Sequence, residues 1–295
     1  MFPSSRSFPQ SLRLFGLIVV AGLVLVSCGP TTNKTEGGTS PYDRAKGAFK
    51  TGNLERALEL TDKLATATPP ADSTDRARVL RAVIYTGELK AAMELAEAYS
   101  KGAEKAKNSR FQAEYRRLHN DNLQAAAKAA LNLAETAHQI APDGVIAKEL
   151  TLEASYPTTE GPTEITELAK VDEGGWIEPD QQDSAAANAL RKGLDEALAD
   201  VVSGDRAKAR QALASGSTKL DGTDFAIFLS KELAEGAAVF NRHYGRDPQK
   251  LIALCDEGDV IVKAAVALLK DTPNKDQDQE VKKLQDKFKT LRANK

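Results

Sequence analysis

The pattern of apolar and polar positions divides the chain into one continuous apolar block and a long run of helical periodicity. The block is Leu14 to Val26, thirteen residues without a charge, preceded by Arg6 and Arg13. Residues 29–40 then read GPTTNKTEGGTS, which lacks any large apolar side chain. From Tyr42 onward, apolar residues recur every three to four positions among Ala, Leu, Lys, Glu and Arg. That is the period of a helix with one buried face, and β-branched alternation is nearly absent, so no strand is expected.

Local signals place the helices. Asn108–Ile140 reads as one long helix or a broken pair, and helices are expected over Asp183–Val202 and Thr223–Tyr244, the last capped by Thr223 and stopped at Gly245. Asp247–Pro248 reads as an N-cap with proline in the first turn, opening a helix to Lys270. Beyond Pro273, Val281, Leu284, Phe288 and Leu291 lie at spacings of 3, 4 and 3. They form one apolar stripe that should dock on the preceding helix pair. Three stretches look alike: TGNLERALEL from Thr51, TGELKAAMEL from Thr86 and SGDRAKARQAL from Ser203. In each, a glycine turn is followed by small alanines. The fold class expected is all-α, with antiparallel helical hairpins stacked as an array or short solenoid.

Length and charge narrow the picture. A span across a bilayer needs about 20 apolar residues, so the 13-residue block suits the apolar region of a secretory signal instead. It ends in Leu25-Val26-Ser27-Cys28, and this tetrapeptide resembles the lipobox of bacterial lipoproteins. The resemblance implies cleavage before Cys28, diacylglyceryl attachment to its thiol and acylation of the new amino terminus. Residues 1–27 are then a signal peptide, residues 28–40 a flexible tether, and the mature chain 268 residues with a formal charge of −4. Gly29 rather than Asp after the cysteine points to the outer membrane, facing the periplasm. With Cys28 lipidated, the fold is expected to hold no internal disulfide and Cys255 to be a buried small hydrophobe. The acidic balance does not fit a nucleic-acid partner.

The glycine turns carry a second resemblance. Gly52 and Gly87 are 35 residues apart, and Ala45, Phe49, Gly52, Asn53, Ala57 and Pro69 resemble one tetratricopeptide repeat; Gly87 and Ala92 extend it to a second. Such repeats imply a concave protein-binding groove. Aligned positions put Tyr42, Lys46, Phe49, Lys50, Arg81, Ile84 and Tyr85 on it, a mixture of cations and apolar contacts suited to acidic segments.

Two helical blocks, 41–154 and 184–295, flank an acidic linker, Ser155–Asp183. It holds eight acids against Lys170, together with the one tryptophan, Trp176. It reads as a solvated connection with Trp176 tucked against nearby helices. A sharper expectation has it folding back onto a basic face around Lys46, Arg81 and Arg116–Arg117. No GxxxxGK[ST], GxSxG, HExxH or CxxC motif is present, and His119, His138 and His243 lie in separate segments. An enzyme, a metal site and a cofactor are therefore not expected. The function expected is a lipid-anchored envelope scaffold that binds other envelope proteins or peptides. The alternative is a small-ligand-binding component associated with a solute transporter, with Trp176 over the mouth of an apolar pocket.

Overall fold

The computed structural model describes residues 40–67, 72–156, 160–243 and 248–293. The expected signal, Cys28 and most of the expected tether lie outside the described residues, as do Pro69, Tyr244, Gly245 and Asp247. Among the described residues the architecture is all-α, with ten helices and one two-stranded ribbon.

The first hairpin forms as its local signals require. Helix α1 (Pro41–Lys50) starts where the Ser40 hydroxyl accepts the Asp43 amide at 3.1 Å, with Pro41 in the first turn. Gly52 at φ +79° reverses the chain, and the Asn53 side chain caps α2 (Leu54–Ala65) by accepting the Arg56 amide at 3.1 Å. Ala45, Phe49 and Ala57 are fully buried where the two helices meet.

The turn expected at Gly87 does not form. Helix α3 runs unbroken over Asp72–Lys105, 34 residues or about 51 Å. Residues 79–87 are buried on every side, which makes α3 the central rod. Gly87 sits there for close approach: Gly193 of α6 (Pro179–Val202) lies so near that a Cβ on Gly193 would stand 2.3 Å from the Gly87 carbonyl oxygen. The glycine and small residues that looked like a second repeat turn therefore make a helix crossing. Helix α4 (Ser109–Ile140) is likewise continuous and packs along α3.

The third glycine turn is real. Gly204, at φ +72°, ends α6, and Asp205 caps α7 (Arg206–Ala212) by accepting the Lys208 amide at 2.9 Å. The structure also adds strands where none was expected. β1 (Glu149–Leu152) and β2 (Thr218–Asp221) pair antiparallel, Leu150 opposite Leu220, burying Leu150, Leu152 and Leu220. Four residues are too short a window for alternation to register against the surrounding helical pattern.

Helix α8 (Gly222–His243) starts one residue earlier than expected, and its cap is Asp221 rather than Thr223. One Asp221 carboxylate oxygen accepts the amides of Thr223 at 2.8 Å and Asp224 at 3.1 Å. Helix α9 (Pro248–Asp271) and α10 (Lys275–Ala293) complete the chain, and the stripe Val281, Leu284, Phe288, Leu291 is buried against α8 and α9 as expected. Cys255 is fully buried.

Residues of both expected blocks, from Tyr42 to Leu291, share one core. A second, smaller core joins α3 to the acidic segment. Ala91, Leu95, Ala98 and Tyr99 of α3 meet Ile165, Leu168, Val171 and Ile177, with Ala185 and Ala189 of α6. Leu168 and Val171 lie on a short helix, α5 (Thr166–Asp172).

The crossing makes opposite predictions for one substitution at two helical glycines. Gly193→Ala should destabilise the fold by about 1–3 kcal/mol, because the new methyl must displace backbone. Gly47→Ala, in α1 with nothing within 4 Å of the added methyl, should stabilise it by about 0.5–1 kcal/mol through helix propensity. Denaturant midpoints of the two variants decide this, and equal shifts would reject the crossing as the reason for Gly193.

Candidate functional site

The groove residues named by the repeat alignment lie at the end of the molecule where α1, α2, α3 and β1 converge, and most of them face inward. Tyr42, 3% exposed, sets its hydroxyl between the carbonyls of Glu153 at 2.9 Å and Arg76 at 3.2 Å, and burial pushes the phenol well above its ordinary pKa. Phe49 is fully buried and Ile84 likewise. The Arg81 guanidinium donates to the Leu58 carbonyl at 3.2 Å, pairs with Asp62 at 3.1 Å, and lies over the ring of Tyr85, whose hydroxyl accepts from it at 3.2 Å. Tyr85 is itself buried. Lys50 alone of the six principal positions is exposed, and Lys46 is half-buried.

An acid does meet these cations, and it comes from the chain itself. Glu153, just beyond β1, accepts from Lys46 at 3.1 Å and from Arg76. Burial would raise its carboxyl pKa, but the hydrogen bonds from the two cations outweigh that and hold it below the ordinary value. The cationic end is thus neutralised before any partner arrives. The expected fold-back of Ser155–Asp183 onto this face is not what the structure shows; Arg117 pairs with Glu114 and Asp121 on its own helix.

The acidic segment instead lies along the other half of α3. Trp176 stacks on Phe111 with ring centroids 4.6 Å apart and stands 5.7 Å from Tyr115, which in turn stacks on Tyr99 at 5.7 Å. The Tyr115 hydroxyl donates to the Gly175 carbonyl, and Gly174 at φ +80° fits against the backbone of Lys105 and Ala106. Trp176 is therefore tucked against neighbouring helices, with one face covered by Phe111. At the other end of the segment, the Gly161 amide donates to Asp195 at 3.2 Å, and Arg210 donates to the same carboxylate oxygen at 3.0 Å while pairing with Glu160. Burial raises the Asp195 carboxyl pKa against the pull of Arg206.

Two further groups of buried charge lie along α3. Lys90 bridges Glu232 of α8 and Asp200 of α6, each at 3.1 Å. Burial opposes its charge, yet the two carboxylates hold the ammonium above its ordinary pKa, while for Glu232 burial dominates and pushes the carboxyl up despite Lys90. Glu88 faces Lys128, and burial pushes its carboxyl up to about 7. Glu153, Asp195, Lys90, Glu232 and Glu88 all escaped the sequence reading. The available signal was an ionisable residue inside a run of buried positions, as with Asp195 after Leu194 and Glu232 before Leu233.

A shallow hollow of about 180 Å³ lies between α3 and α4, lined by Ser100, Ala103, Glu104, Arg116 and His119. That is below the roughly 300 Å³ at which small-molecule sites begin. No cluster of three or more potential metal ligands occurs among the described residues, and no helix there is long and apolar enough to cross a membrane. His119 Nδ1 lies 2.8 Å from the Ala96 carbonyl, and His138 lies 3.4 Å from Glu257; the His243 side chain is outside the described residues. Comparison with known proteins finds no matching family model, no similar curated protein and no similar solved structure.

Glu88 gives a pH test. Between its ordinary value of 4.5 and about 7, the folded chain keeps a proton that the unfolded chain sheds, so stability falls as pH rises through that window and levels off above it. Glu88→Gln should remove a loss on the order of 2 kcal/mol between pH 5 and 8, at roughly 1.4 kcal/mol per pKa unit. Denaturant midpoints at the two pH values measure it; identical pH slopes in parent and variant would reject the assignment.

Proposed function

We propose that this chain is a cell-envelope lipoprotein, attached to a membrane through Cys28, whose helical body is a binding scaffold for another envelope protein. The observation that carries the reading is the order of the first forty residues. Two arginines, a thirteen-residue apolar block and Leu25-Val26-Ser27-Cys28 are followed by a polar tether that ends at the capping residue of α1. Acyl chains add about 0.8 kcal/mol per buried CH₂, so three of them would hold the protein at the membrane essentially permanently. A dozen tether residues reach about 40 Å when extended, far enough to free the body from the lipid headgroups.

The tertiary structure supports the scaffold part by its rigidity. The long helices α3 and α4 run side by side, and α6 crosses α3 in backbone contact, so the exposed faces keep fixed relative positions. A preformed surface loses little conformational freedom on binding. Tyr42, Phe49, Arg81 and Tyr85 have their side chains buried in the fold, and Lys46 is half-buried on Asp43 and Glu153, so none of the five presents a free contact to a partner. Lys50 remains available at that end.

Cys28→Ser tests the attachment. The variant should lose incorporation of labelled palmitate and keep residues 1–27 uncleaved, while the parent is labelled and cut. A variant that still incorporates palmitate would overturn lipid attachment at Cys28. Crosslinking in intact envelopes followed by mass spectrometry tests the scaffold role, and reproducible recovery of one envelope protein is the expected result.

A further inference from the structure

The acidic segment differs from the rest of the fold in how it is held. Residues 160–178 bury Ile165, Leu168, Val171 and Ile177 against α3 and α6, in a core distinct from the main one. Helix α5 is seven residues long, and its first residue is preceded by Ile165, which supplies no side-chain cap. A helix this short does not hold by itself in water. Its stability comes from the groove beneath it.

The two ends are fastened by different means. At one end the Asp195 carboxylate receives the Gly161 amide and Arg210, and Arg210 reaches Glu160. At the other, Trp176 lies on Phe111 and Tyr115 donates to Gly175. The first fastening is incomplete: Asp195 Oδ1 and Arg210 Nε are buried and make no hydrogen bond, although the Asp195 side chain is only 1% exposed. Asp172 Oδ1, within the segment, is likewise buried and unpartnered. Buried polar groups left unmade favour opening, because water satisfies them when the segment lifts.

We propose that residues 160–178 form a strap that lifts from the groove between α3 and α6 and is replaced there by an acidic amphipathic helix of the protein partner. The strap itself shows what fits. Ile165, Leu168 and Val171 repeat every third residue on one face and seat against Ala91, Leu95, Ala98 and Tyr99. Two of its acids fall on donors at the rim: Glu160 on Arg210 and Glu167 on the Ser184 hydroxyl at 2.8 Å. A partner helix with apolar residues at the same spacing and carboxylates beside them would meet the same set. The small side chains of α3 admit a helix closely, and the strap keeps that apolar face covered until the partner competes for it. The identity of the occupant as a protein rests on the scaffold reading above.

The test uses the mature full chain and a fluorescent peptide of residues 160–178. Leu168→Asp in the chain loosens the strap and leaves the groove unaltered, so the chain carrying it should bind the peptide at least tenfold tighter than the parent, as follows when more molecules have an open groove. A peptide with the same substitution should bind neither chain. In the parent, amides of residues 163–178 should exchange at least tenfold faster than those of residues 79–87. Equal or absent peptide binding by both chains overturns the strap, as does exchange of its amides only with global unfolding. Should Leu168→Asp fail to fold, the milder Leu168→Ala, which also lies within the strap and leaves the groove unaltered, takes its place in the same comparison. Peptide binding with no envelope protein recovered would overturn the scaffold reading and leave the groove. Recovery of a partner equally by parent and Leu168→Asp chains would do the reverse.

Discussion

The contact between Gly87 and Gly193 is the constraint on which the other packing depends. Two helices whose backbones touch need no side chain between them on that line, so α6 crosses α3 with a glycine on each side of the contact. With α4, α2 and β1 also packed on α3, its stretch 79–87 is left with no solvent face. A helix wrapped in this way must be apolar or small all round, and Val79 to Gly87 is so except for Arg81 and Thr86. Arg81 satisfies its charge on Asp62 and the Leu58 carbonyl.

Buried charge does the linking between elements that the apolar core leaves unspecified. Glu153 ties the end of β1 to α1 and α3, Lys90 ties α3 to α6 and α8, and Asp195 ties the acidic segment to α6 and α7. Ion pairs of this kind add little net stability, since desolvation offsets much of the attraction, but breaking one partner leaves the other buried and uncompensated. They therefore fix which segment sits where. Glu153 also occupies Lys46 and Arg76, at the end that looked like an acid-binding groove, while the acidic segment packs on the other half of α3.

Legibility followed the range of the interaction. Helix periodicity over ten or more residues was readable, and α4, α6, α9 and the buried stripe of α10 lie close to where the pattern puts them. Turn chemistry was readable at Gly52 and Gly204, since those reversals close within three or four residues; the Ser40 cap came only with the structure. Gly87 was misread because a glycine among alanines looks the same whether it reverses the chain or admits a neighbouring helix. Thr223 has the chemistry of a cap, but Asp221, two residues earlier, accepts two amides and holds that position. Of the candidate site residues, Trp176 behaved as its surroundings suggested, packed against nearby helices. Tyr42, Phe49, Arg81 and Tyr85 were placed on an open face by alignment to a repeat whose second turn is absent.

What the sequence by itself determined are the features written in adjacent residues: the all-α class, the apolar block before Cys28, the polar composition of residues 29–40 and the acidity of residues 155–183. Only the tertiary structure decided that α3 is one rod, that a two-stranded ribbon closes one end, that Glu153 neutralises the cations near α1, and that the acidic segment builds a second core. The physical reason is that periodicity records which face of a helix is buried and carries no information on what buries it. That choice is made by contacts between residues far apart in the chain, such as Lys46 with Glu153 and Gly87 with Gly193, where backbone approach and charge pairing select one arrangement of the same helices.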